Sequence, residues 1–263
     1  QIVCASQSTV LAVAFVDESQ LVAGYDNSDI HRWKIEDGQQ LGPTMQTGRR
    51  VYSIAVSQDG RWIVSGDDGR KATAWNADTH EKVRHAEYRN SVYNTTDNIR
   101  LFDIASGTEL LPPISHHYVV GVKFSPDGSR FATVSRDSGV RIYSTHDGKV
   151  LFDSGTRGLT NSFAVTPLAW SSDGQQLFVA SKGKITSFNT SDSSSSERPI
   201  HENKSSVSIA SNGKFIACSA GSSVSLWDCM SHRRIGSIIT HAAGISCIAL
   251  SPSGGYLACG GSN

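Results

Sequence analysis

Short runs of alternating apolar and polar residues, broken by tight polar turns, run through almost the whole chain. Such alternation is the mark of β-strands with opposite faces in different surroundings. One turn recurs as Ser57-Gln58-Asp59-Gly60, Ser125-Pro126-Asp127-Gly128, Ser171-Ser172-Asp173-Gly174, Ser211-Asn212-Gly213 and Ser251-Pro252-Ser253-Gly254. Asp-Gly and Asn-Gly between alternating apolar residues predict hairpins, because glycine accepts the positive φ that such turns need. From Gly128 onward the turn glycines are spaced 46, 39 and 41 residues apart.

A second register repeats with the first. Short runs end in an aromatic residue: Trp33, Trp75, Phe102, Tyr143, Phe188 and Trp227. Gly38, Gly107 and Gly148 each follow the aromatic by five residues. Two hairpin turns and one aromatic-tipped strand per roughly 40 residues predict a four-stranded blade. The fold class is therefore all-β, a β-propeller of four-stranded antiparallel blades. Aromatic-tipped strands are expected at about 30–33, 72–75, 99–102, 140–143, 185–188 and 224–227.

At these residues the chain resembles the WD-repeat (β-transducin-like) family. Trp227-Asp228 is a WD pair, and Phe102-Asp103 is close to one. Phe124-Ser125-Pro126-Asp127-Gly128 and the stretch from Ser135 to Tyr143 are similar to the family pattern. The resemblance covers essentially the whole chain and implies one propeller over residues 1–263. In the family a His, a Ser or Thr, an Asp and the aromatic-strand Trp brace a blade through hydrogen bonds. Asp137, six residues before Tyr143, stands at the family's spacing, and His241, nine before Leu250, stands where the family's Gly-His histidine would. His116 and His201 fall one residue off, and Asp26 and Asp68 fall seven before Trp33 and Trp75.

The repeats are uneven. Only 27 residues separate Trp75 from Phe102, so the repeat at 86–112 is short and lacks its Ser-x-Asp-Gly hairpin; the last repeat, 241–263, stops before its aromatic strand. The expectation is a seven-blade plan with two incomplete blades, with Gln1–Ala5 as a closing strand; a six-blade ring is the alternative.

Composition narrows the function. Lys plus Arg (24) equals Asp plus Glu (24), so no global basic excess invites nucleic acid or an anionic membrane. No apolar run approaches the roughly 20 residues of a membrane helix. The five cysteines, Cys4, Cys218, Cys229, Cys247 and Cys259, show no CxxC spacing and read as small core residues of a reducing compartment. The cytoplasm is expected, with the nucleus not excluded.

Signals of catalysis are missing: there is no GxSxG, P-loop, HExxH or GxGxxG after a strand. His116-His117 is the one adjacent histidine pair, and neighbours on a strand point to opposite faces. Asp67-Asp68 reads as turn chemistry. Asn94, Asn189 and Asn203 begin Asn-x-Ser/Thr triplets expected by chance in a Ser/Thr-rich chain. Ser191–Glu197 reads as a solvated loop, with phosphorylation as the sharper reading. No cofactor and no metal are expected.

Surface loops of such a scaffold vary without disturbing its strands. By the resemblance, the loops leading into the innermost strands form the usual contact face. Arg49, Arg50, Tyr88, Arg89, His117 and Tyr118 are the candidate partner-binding residues, an electropositive and aromatic patch. The expected function is a non-catalytic scaffold or docking module for a protein or peptide. An enzyme or carbohydrate-binding propeller is the first alternative, against which stand inner strands with no recurrent inward acid. A partial gene product without a stable function is the second. With no brace set complete around a Trp, the melting midpoint should lie below about 70 °C by calorimetry; a higher value overturns this expectation.

Overall fold

The computed structural model describes residues 8–69, 71–87, 98–156, 167–181, 183–201 and 207–261. Every regular element among them is a β-strand. The chain divides into two compact units, residues 1–92 with 243–263, and residues 93–242. Gln1–Ala5 and Cys4 lie outside the described residues.

The first unit holds two antiparallel four-stranded sheets. One is β1 (Val10–Phe15), β2 (Gln20–Tyr25), β3 (Asp29–Lys34) and β4 (Gln40–Gln46); the other is β5 (Val51–Val56), β6 (Trp62–Asp67), β7 (Lys71–Asn76) and β8 (Lys82–Glu87). The second unit starts with a two-stranded sheet, β9 (Asn98–Ile99) and β10 (Ile114–Ser115). Three four-stranded sheets follow. They are β11 (Val119–Phe124) to β14 (Val150–Asp153), with β12 (Arg130–Ser135) and β13 (Val140–Ser144) between; β15 (Leu168–Trp170), β16 (Gln176–Ser181), β17 (Lys184–Asn189) and β18 (Ser195–Pro199); and β19 (Val207–Ser211), β20 (Phe215–Ala220), β21 (Ser223–Asp228) and β22 (Arg234–Thr240). A last hairpin, β23 (Ile245–Leu250) and β24 (Leu257–Gly261), packs in the first unit beside β1, where Glu18 accepts hydrogen bonds from the Ser253 N–H and hydroxyl.

Each four-stranded sheet runs in sequence order, the plan of a propeller blade. Five blades are complete among the described residues, so the expected count of seven, or of six, is not reached. The stretch 99–102 also differs from expectation. Its strand is only β9, and Phe102 sits in an isolated bridge with Glu109, 37% exposed. Among the described residues β9 pairs with β10 over two residues, Asn98 with Ser115 and Ile99 with Ile114, so the ladder ends before Phe102. The other aromatics fall where the pattern puts them: Trp33 on β3, Trp75 on β7, Tyr143 on β13, Phe188 on β17 and Trp227 on β21.

Packing between blades explains the apolar runs. Leu177 and Val179 of β16 pack with Ala132, Val134, Ile142 and Phe152 of the blade before; Phe178 and Ala180, alternating with them, pack with Ile209, Ile216 and Cys218 of the blade after. A strand in this position is buried on both faces and reads as continuously apolar. Each fully buried Val, Leu, Ile or Phe side chain here contributes about 1.5–3 kcal/mol. In β6, by contrast, only Ile63 and Ser65 are buried, facing the first blade; Trp62 and Val64 are partly exposed.

The Ser-x-Asp-Gly turns share one hydrogen-bond pattern. Ser125 Oγ lies 2.6 Å from Asp127 Oδ1, accepts the Arg130 N–H at 3.0 Å, and its carbonyl accepts the Gly128 N–H at 2.9 Å. Ser57 and Ser171 repeat all three contacts. Hydrogen bonds from Ser125 and Ser129 hold the Asp127 carboxyl down at about 2, so it is ionised through the physiological range.

The outer turn has a position of its own, five residues after the aromatic. Gly38, Gly107 and Gly148 adopt φ of about +70° there, and His80, Ser193 and His232 adopt φ of 61°, 60° and 56° in the other blades. A left-handed non-glycine residue costs about 1–2 kcal/mol. The two histidines offset this by latching the preceding blade. His80, buried, bonds the Pro43 carbonyl through Nδ1 at 2.8 Å. His232 Nε2 lies 2.8 Å from Gln176 Oε1, its ring edge-on to Phe178. Ser193 is exposed and its hydroxyl has no hydrogen bond among the described residues. Ser193→Gly should therefore stabilise the chain by about 0.5–1 kcal/mol, whereas His80→Gly should destabilise it by about 1–2 kcal/mol despite the same relief of φ. Urea denaturation of the two variants checks the opposite signs.

Candidate functional site

The loops into the inner strands are held by a recurring backbone clamp. The Asp26 N–H donates to the Thr9 carbonyl, the Asp68 N–H to Arg50, and the Arg136 N–H to Tyr118, each at 3.1 Å. In each case the residue just before an inner strand is tied to the turn between the next two strands. Arg50 and Tyr118 thus hold the same place in their blades, as do Arg49 and His117, one residue earlier.

In the first unit, Arg49 and Arg50 are exposed in the loop between β4 and β5. Thr47 Oγ1 lies 2.6 Å from the Arg49 carbonyl, and the Thr47 N–H donates to Ser28 O. The Arg49 stem lies across Gly69, where an added Cβ would sit 3.2 Å from Arg49 Cγ. Asp67 accepts the Lys71 N–H through Oδ1 and closes that turn, as Asp-Asp at a turn predicts. Asp67 and Asp68 stand in the turn that clamps this loop.

In the second unit, the loop between β10 and β11 splits its two histidines. His116 is 1% exposed, and its Nδ1 lies 2.7 Å from Thr133 Oγ1. Burial, then the Arg141 charge, pushes its pKa below the ordinary histidine value. His117 is exposed, and Tyr118, at φ 48°, is 55% exposed. Ser135 Oγ lies 2.6 Å from the His117 carbonyl and 2.8 Å from Asp137 Oδ1, and it accepts the N–H groups of Asp137 and Ser138. Asp137 therefore organises the turn beside the loop through Ser135. Arg49 and Arg50 lie in one unit and His117 and Tyr118 in the other; Tyr88 and Arg89 lie outside the described residues.

A polar brace ties His201 to β21. His201 Nε2 is 2.9 Å from Ser223 Oγ, whose own proton goes to the Ala220 carbonyl, so Nε2 is the donor. Nδ1 then accepts from Ser225 Oγ at 3.0 Å, and Ser225 accepts the Trp227 indole N–H at 2.9 Å. One neutral tautomer satisfies all four groups. Ser225 was not singled out by the spacing, because it lies on the aromatic strand itself, two residues before Trp227. The other indoles find different partners: Trp75 donates to Ser65 Oγ at 2.9 Å, and Trp33 to Tyr25 Oη at 3.2 Å. Tyr143 stacks on Phe131, and Phe188 meets Phe152 edge-on. His241 is exposed; its N–H donates to Ser222 O.

Among the described residues no group of three or more His, Cys, Asp or Glu is placed to hold a metal ion, and no helix is long and apolar enough to cross a membrane. Cys218, Cys229, Cys247 and Cys259 are free thiols, and burial pushes Cys218 and Cys247 up to about 12. Ser225→Ala would leave the Trp227 N–H and His201 Nδ1 without their partner. It should cost about 2–3 kcal/mol in chemical denaturation, whereas exposed Ser231→Ala should stay within about 0.5 kcal/mol.

The repeats also match known proteins. The family described as WD domain, G-beta repeat (WD40) matches residues 42–76, 109–144, 196–228 and 233–263, together just over half of the chain. WD repeat-containing protein 1 of Mus musculus is 27% identical over 156 residues, 52% of this chain and 26% of that protein. Its counterpart in Gallus gallus is 29% identical over 154 residues, 51% of this chain and 25% of that protein. The matched stretch thus spans about a quarter of the length of these relatives. With its blades of four antiparallel strands and the repeat matched over half its length, the chain belongs to the WD40 family.

Proposed function

We propose that the chain is a non-catalytic docking module that binds a protein or peptide through the loops entering its inner strands. Arg49 and Arg50 serve in one unit, His117 and Tyr118 in the other, and Tyr88 and Arg89 are assigned to the same role from the sequence. The supporting observation is that the loops of Arg49–Arg50 and of His117–Tyr118 pair exposed side chains with a clamped backbone. A side chain presented from fixed backbone loses less freedom on binding, which favours affinity. Arg and Tyr combine contact area with hydrogen bonding and are frequent anchors of interfaces. WD40 propellers generally bind proteins, which supports the same reading.

Several finer points belong to this proposal. The two two-stranded sheets, β9–β10 and β23–β24, are the incomplete members of a seven-unit plan. The balanced charge favours a protein partner over nucleic acid or a membrane surface, and no cofactor takes part. The free thiols favour a reducing compartment, the cytoplasm.

Arg49→Glu with Arg50→Glu reverses two exposed charges without touching the core. In a pull-down from cell extract with mass spectrometry, stoichiometric partners of the parent chain should be lost from the double variant. Equal recovery of the same partners by both chains would remove these two arginines from the interface.

A further inference from the structure

The hairpin between β17 and β18 differs from the other outer hairpins in ways the docking role does not use. Residues 191–197 read Ser-Asp-Ser-Ser-Ser-Ser-Glu, and all seven are exposed. Thr190 Oγ1 bonds the Gly174 and Gln175 carbonyls, as Thr145 Oγ1 bonds those of Gly128 and Ser129 in the blade before. After Thr190 the bonds are local and solvated: Ser191 Oγ to Asn189 Oδ1, and the Ser194 N–H to Asp192 Oδ1. At the position where glycine or a latching histidine stands elsewhere, Ser193 holds φ 60°, exposed. The segment continues into β18, the outermost strand of its blade, already extended and paired on one side only.

We propose that Ser194 is a phosphoacceptor for a protein kinase whose substrate groove is basic, and that its phosphorylation creates a second site at Ser191. Three residues along an extended strand span about 10 Å, which sets Glu197 on the far side of the groove from the reacting hydroxyl. Glu197 is free to take that role, because its ion pair with Lys184 joins two groups 54% and 40% exposed, and exposed pairs are easily exchanged. Asp192 adds a second negative charge before the acceptor. In the reaction the Ser194 Oγ–P bond forms as the bond between the β- and γ-phosphates of ATP breaks; the hydroxyl proton is released and ADP leaves. A phosphate of about −1.5 to −2 charge then stands three residues after Ser191, the relation Glu197 has to Ser194. The order is thus fixed, Ser194 before Ser191.

The test uses the full chain, ATP and a purified acidophilic serine/threonine kinase, with a basophilic kinase as control and site mapping by mass spectrometry. The acidophilic kinase should place one phosphate on Ser194 and then a second on Ser191; the control should place none there. Glu197→Gln should slow the first step roughly tenfold, the loss of one charge-assisted contact. Ser194→Ala should abolish both phosphates, and Ser191→Ala should leave the first intact. Because all three positions are exposed, thermal melting should show each variant folded like the parent. Phosphate at Ser191 without Ser194, an unchanged rate in Glu197→Gln, or a folded chain left unmodified at both serines would overturn the proposal.

Discussion

Face-to-face packing between neighbouring blades is the constraint on which the rest of each unit depends. The central strands β12, β16 and β20 are buried along almost their whole length, and β16 sets one row of side chains against the blade before and the other against the blade after. No blade can satisfy such a strand alone, so stability is shared between neighbours, as in other repeat architectures. In β6 burial falls to alternate positions, Ile63 and Ser65. The outer strands carry little of this load; β22 is exposed along its whole length, and Pro43 and Pro199 stand on β4 and β18. Proline is tolerated at such edges and discourages pairing with other chains.

Polar groups then fix how the blades are aimed. At one end of each hairpin the serine of the Ser-x-Asp-Gly turn both donates and accepts, so a single hydroxyl sets the turn geometry. At the other end, the clamp between the residue before the inner strand and the next turn repeats in at least three blades. The outer turns add a third device, a left-handed residue that is either glycine or a histidine bonded to the blade before. These devices leave the loop side chains exposed on a held backbone, the condition that docking requires.

The tertiary structure also places particular residues in surroundings that spacing alone does not give. Phe102 matches the aromatic spacing, but it lies beyond the two-residue strand β9, is exposed, and among the described residues forms an isolated bridge with Glu109. His241 has the family spacing yet is exposed, whereas His116, one residue off, is buried on Thr133. Spacing places a residue within its repeat; burial depends on which group, distant in the chain, meets the ring. The expected positive patch at Arg49 and Arg50 shares its end of the unit with Asp67 and Asp68, a juxtaposition made by the turn between β6 and β7.

The sequence by itself determined the repeating unit: the alternation, the Ser-x-Asp-Gly turns and the aromatic positions are local features, set by backbone chemistry within about ten residues of each other. It also determined that the chain carries none of the common catalytic motifs. Only the tertiary structure decided the number of complete blades among the described residues, the partners of each indole and imidazole, and which of two adjacent histidines is buried. Those outcomes depend on contacts between segments far apart in the chain, such as His201 with Ser223 and Ser225 or His80 with Pro43. A one-dimensional pattern of polarity does not encode which distant surface a side chain will meet.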